Sequence, residues 1–240
     1  MKTLIQIIYF GVIPVAIYSD FCENSSFLRE IGGFEAISNL ILIFYCVQFR
    51  KSKFIHRDWL LLEALLFTCA CGSLLLLFQE SELLMFINTI GFYLTQFVYI
   101  NIFRNEGSIL PPFNTVFREW KMLILTTLFL IGLVFLIVRF IPTTLLVLSF
   151  IYSTQMMLLC WMAYYRPIAK KEYIEGLVGV FILVMSNLWL TINLFYNTFP
   201  YKISSYFFLY AVSQFLIVQS ILRNNSKSSK TSNSPLDSLL

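Results

Sequence analysis

The residues best suited to chemistry in this chain are amides and hydroxyls set inside apolar runs. Gly179 to Phe195 reads GVFILVMSNLWLTINLF, with Ser186, Asn187 and Asn193 in the middle. Three other apolar runs carry similar groups: Cys71-Gly72-Ser73; Asn88, Gln96 and Tyr99; and Tyr210, Ser213 and Gln214. Such groups hold and orient water or a polar ligand, but near neutral pH they cannot supply a proton as a carboxylic acid does. Taken singly, each reads as an interhelical hydrogen bond. Taken together, four clusters at similar depth point to one shared polar cavity. The spacing supports this. Gln96 and Tyr99, Ser186 and Asn193, and Tyr210 and Gln214 each fall on one face of a helix. Tyr152 and Gln155-Met156-Met157 form a weaker signal that reads mainly as packing.

The elements that position these groups follow from composition. The chain has 240 residues, 58% of them hydrophobic and only 12% charged, and its mean hydropathy is +0.77. A soluble domain carries about 25% charged residues, so this is an integral membrane protein, and nucleic-acid binding is not expected. The reading is all-α: a polytopic helical bundle of eight spans, roughly 3–19, 31–49, 59–78, 83–103, 122–141, 143–165, 175–199 and 204–222. No convincing small-x-small cleavage site follows the first span, so it is kept as a helix. Pro142 marks a tight turn between the fifth and sixth. The eight-helix domain covers 1–222, and 223–240, rich in Ser, Asn and Lys, reads as a disordered cytoplasmic tail.

Of the seventeen Lys and Arg, fourteen fall on one side of this topology; only Arg29, Arg139 and Lys202 fall on the other. The positive-inside rule places both termini in the cytoplasm. The five cysteines include four in apolar runs and read as small buried residues. Cys69 and Cys71 point to nearly opposite sides of their helix. The one histidine, His56, lies in a basic loop. No metal site, no Ser-His-Asp triad and no cofactor are expected. Glu35 and Glu63 lie near helix ends and read as acids that snorkel to the interface. Held inside the membrane, either would be a candidate proton donor.

With those motifs in place, the chain resembles the YhhN-type lysoplasmalogenase family of eight-helix membrane proteins, over roughly 60–222. Gly179, Ser186-Asn187, Asn193 and Phe195 match the family's seventh-helix pattern of Gly, Ser-Asp, Asn and Phe. Tyr210, Ser213 and Gln214 match Tyr-x-x-Ala-Gln, and Phe92, Gln96 and Tyr99 match Phe-x3-His-x2-Tyr. Gly72-Ser73 stands where the family has Gly-Asp. The resemblance implies hydrolysis of the vinyl ether of a lysoplasmalogen. It assigns catalytic positions to Ser73, Gln96 and Asn187, and substrate contacts to Tyr99, Ser186, Asn193, Tyr210 and Gln214. Every ionisable family position is here a neutral polar residue. The expectation is therefore a retained pocket for a membrane lysophospholipid with weakened or silent hydrolysis, in a bacterial inner membrane. The alternative is a small-molecule transporter or membrane sensor.

Overall fold

The computed structural model describes residues 2–20, 27–51, 53–77, 82–110, 127–128, 131, 143–196 and 201–224. Among them are seven α-helices and no strand: α1 (Lys2–Ser19), α2 (Phe27–Arg50), α3 (His56–Leu77), α4 (Glu82–Asn105), α5 (Thr143–Tyr164), α6 (Lys170–Tyr196) and α7 (Lys202–Arg223). Seven of the eight expected spans have their helix. The expected fifth span at 122–141 and the turn at Pro142 lie outside the described residues, as does the expected tail from 225 on.

Several helices outrun the apolar segments that announced them, two of them by a turn or more. α2 begins at Phe27 rather than 31, and α6 at Lys170 rather than 175. The reason is that hydropathy marks only the part of a helix that meets hydrocarbon. The Lys-Lys-Glu turn that opens α6 is helical but polar. Among the described residues four helical stretches are long and apolar enough to cross a membrane: Lys2–Ser19, Glu30–Arg50, Lys170–Asn193 and Lys202–Arg223. Large apolar side chains such as Phe44, Leu66, Phe97, Phe181 and Phe208 are exposed on the outside of the bundle. In water such a surface would aggregate, whereas in lipid it is the expected exterior.

Glycines set the closest approaches. A Cβ on Gly72 of α3 would lie 2.6 Å from the Gly32 carbonyl oxygen and 3.0 Å from the Ala36 amide nitrogen of α2. A Cβ on Gly179 of α6 would lie 3.0 Å from the Ile217 amide nitrogen of α7. Small residues let membrane helices gain dispersion contacts that lipid cannot match. α1 is built into the bundle: the buried Tyr9 donates to the Ala211 carbonyl (2.8 Å), and Asp20 accepts from the Ile203 and Ser204 amides (3.1 and 2.8 Å). Asp20 thus caps the first turn of α7, whose amides have no partner within their own helix.

One end of the bundle is tied by charge. Glu106, just past α4, accepts from Arg57 of α3 (3.1 Å), from Arg166 of the α5–α6 loop (2.8 Å) and from the Asn224 amide (2.9 Å). Arg166 also reaches Ser220 (2.9 Å) and lies over the Phe103 ring. Burial pushes the Arg166 guanidinium below its usual range, and Glu106 pushes it back. Arg50 pairs with Asp58 (2.9 Å) and Arg223 with Glu175 (2.7 Å). Lys2 sits over Phe49. The start of α1 and the end of α7 therefore share this basic end. α7 runs one residue past the expected 222, because Arg223 and Asn224 are held there.

Candidate functional site

α2 and α7 run parallel, and their polar side chains meet in register. The Tyr206 hydroxyl donates to Glu35 Oε1, and four residues further along both helices Asn39 Nδ2 donates to the Tyr210 hydroxyl (2.8 Å). Spacing of four keeps each pair on one helix face. The rings of Tyr206 and Tyr210 stack at 5.8 Å, and Phe92 of α4 meets Tyr210 edge-on. Glu35, Asn39, Tyr206 and Tyr210 are all buried.

α4 joins this interior through bonds to α7 and α5. Tyr99 donates to Gln214 Oε1 of α7 (2.6 Å), and Gln96 Nε2 donates to the Tyr152 hydroxyl of α5 (2.7 Å). Gln155, one turn past Tyr152, donates to the Tyr93 carbonyl (2.8 Å). Among the described residues no donor faces four of the buried oxygens here: Glu35 Oε2, Asn39 Oδ1, Gln96 Oε1 and Gln155 Oε1.

The expected site residues divide into two groups. Gln96, Tyr99, Tyr210 and Gln214 reach across to other helices. Ser73, Asn187 and Asn193 instead bond to carbonyls one turn back in their own helices: Cys69 (2.8 Å), Leu183 (2.9 Å) and Trp189 (2.9 Å). Ser186 reaches the Tyr206 carbonyl (3.4 Å), and Ser213 returns to Tyr210. Of Asn88 only the helical backbone is described. Around Glu35 and Gln96 the side-chain bonds join α2, α4, α5 and α7, whereas α6 reaches α7 through Ser186 and through Trp189, which donates to Ser205 (2.6 Å).

One expectation is overturned. Glu35 does not snorkel: it has no exposed surface and is held by Tyr206. Its position along α2 allows an escape to the interface, but α7 covers it. Glu63, by contrast, is exposed. Tyr152 and Gln155, read as packing, carry two of the bonds that join α4 to α5. Asn39 and Tyr206 were missed. The signal available was the pair of four-residue spacings, Glu35/Asn39 and Tyr206/Tyr210. The two cysteines diverge as expected: Cys69 faces the Ala36 carbonyl of α2 and Cys71 faces Gly91 of α4. Among the described residues no cluster of His, Cys, Asp or Glu could hold a metal ion.

A helical bundle with an apolar exterior and a hydrogen-bonded polar interior is an integral membrane protein. The YhhN family model matches residues 33–221, more than half of the chain, and the protein belongs to the YhhN family. No curated protein and no solved structure matches it.

Proposed function

We propose that this protein binds a single-chain ether lysophospholipid, of the lysoplasmalogen type, in the interior between α2, α4, α5 and α7. The observation that carries this reading is the set of buried oxygens with no donor among the described residues, on Glu35, Asn39, Gln96 and Gln155. A buried acceptor left unpaired costs about 1–3 kcal/mol. A ligand that brings hydroxyl donors on a polar end and an apolar chain on the other suits both this interior and the lipid around it. A lysolipid has that chemistry, and family membership favours the same class.

The proposed setting is a bacterial inner membrane, crossed eight times, with both termini in the cytoplasm. The shared basic end of the bundle supports this orientation. α4 and α5 both finish at that end, joined by Glu106 and Arg166 and by the bond from Ser108 to the Met162 carbonyl (2.7 Å). Two helices running the same way need a return crossing between them, which is the place of the expected span at 122–141.

The test is mass spectrometry of lipids retained by the purified protein, with ether lysolipids and two-chain phospholipids offered together. Selective retention of the lysolipid is the expected result. No retained lysolipid, together with solute flux across liposomes, would replace this reading with the transporter alternative.

A further inference from the structure

We infer that Glu35 is the acid of this site and delivers the proton for vinyl ether cleavage, with Tyr206 as its positioning residue. The inference rests on the lysolipid reading above and adds turnover to it.

Location is the first support. The resemblance places an acid on α3 after a glycine, where this chain has Ser73. The Ser73 hydroxyl is spent on its own helix. α2 crosses α3 at Gly72, so closely that a Cβ on Gly72 would lie 3.2 Å from Glu35 Cβ. The carboxyl therefore leaves α2 beside the residue that precedes Ser73. The acid missing from α3 is supplied at the same crossing by the neighbouring helix.

The surroundings are the second support. One Glu35 oxygen accepts from Tyr206, while the other is buried and faces no donor among the described residues. Two other sheltered carboxylates, Asp58 and Glu106, are both paired with arginine. No ion pair among the described residues includes Glu35. A bare charge in such a place is far more costly than the neutral acid. In the neutral acid, one oxygen is fixed by Tyr206 and the carboxyl proton is free of competing acceptors. General acid catalysis needs that arrangement, and it is worth about 10²–10⁴-fold in rate.

The step balances with water alone. The Glu35 O–H bond breaks, and the proton forms a C–H bond at the outer vinyl carbon as the C=C π pair moves to it. The ether oxygen stabilises the resulting oxocarbenium ion, and Glu35 is left as carboxylate. Water adds to the oxocarbenium carbon and gives its proton back to Glu35. The hemiacetal then splits into a fatty aldehyde and the glycerophospho alcohol.

The test uses full-length protein in nanodiscs, with a lysoplasmalogen as substrate. Its saturated alkyl ether analogue, which has no double bond to protonate, reports binding. The wild type should release aldehyde. Glu35→Gln should bind the analogue normally and lose about 10²-fold or more in aldehyde release. Tyr206→Phe should lower kcat more than it raises KM, and the exposed Glu63→Gln should change nothing. Wild type that binds the analogue but makes no aldehyde overturns the acid and leaves the lysolipid reading standing. So does Glu35→Gln turning over at the wild-type rate. Wild type that binds neither lipid overturns both. Should Glu35→Gln fail to fold, Tyr206→Phe with unchanged kcat overturns the proposal.

Discussion

Tyr206 on α7 hydrogen-bonds to Glu35 on α2, and the same offset along both helices brings Asn39 to Tyr210. Two parallel helices far apart in sequence are thus locked in one register by two polar pairs. A slide of one helix by a turn would pair one tyrosine with the other's partner and leave the remaining two buried polar groups unpaired.

The Asn39–Tyr210 bond can be measured by a double-mutant cycle. Asn39→Ala, Tyr210→Phe and the double variant are unfolded in mixed micelles. The expected coupling is about 0.6 kcal/mol, the average for interhelical bonds in membranes. A coupling of zero would mean that the contact does not hold the register.

Gly72→Ala should be costly where Gly11→Ala is not. The new methyl at 72 meets backbone atoms of Gly32 and Ala36, which yield only if α2 and α3 part, whereas nothing lies within 4 Å of the position at 11. Overpacking of this kind costs about 1–3 kcal/mol. Unfolding midpoints of the two variants give the comparison, and equal midpoints would contradict the close crossing.

The ion pairs should differ sharply in strength. Arg166 and Glu106 are both sheltered, with side chains 0% and 2% exposed, while Arg223 is 34% exposed. Arg166→Met removes one charge-assisted bond from Glu106, which keeps Arg57 and Asn224, and should cost about 1.5–3 kcal/mol. Arg223→Met should cost at most about 1 kcal/mol. Chemical unfolding of each variant in detergent reads the difference, and similar losses would show that Arg57 and Asn224 suffice for Glu106.

Reporter fusions address the crossing between α4 and α5. A reporter fused after Asn105 should report the cytoplasm, and one fused after Ile141 the opposite face. A full-length fusion after Leu240 should again be cytoplasmic. Reports of the same face from 105 and 141 would remove the fifth span.

Much of the architecture was open to reading in the residues themselves. Apolar runs of span length announce helices because a buried backbone must satisfy its own hydrogen bonds. The basic loops announce a common end because lysine and arginine are retained on one side of a membrane. Gly72 and Gly179 stand out as small residues in large-residue helices, and both mark close crossings. Gln96, Tyr99, Tyr210 and Gln214 were recognisable as interior groups because a polar side chain amid apolar ones has no tolerable lipid-facing alternative.

The fate of Glu35 was decided elsewhere. An acid two turns from a helix end has the reach to find the interface, so its own helix leaves both outcomes open. What settles it is α7, which covers the carboxyl and presents Tyr206 to it, 171 residues away in the chain. Ser73 and Asn187 make the complementary case: their residue types suit a site, yet each hydroxyl or amide is taken up by a carbonyl one turn back. The sequence by itself determined which segments become helices, which end carries the charge and which side chains must turn inward. Only the tertiary structure decided which inward side chains meet. Pairing depends on helix rotation and crossing, set by contacts between segments that no local pattern encodes.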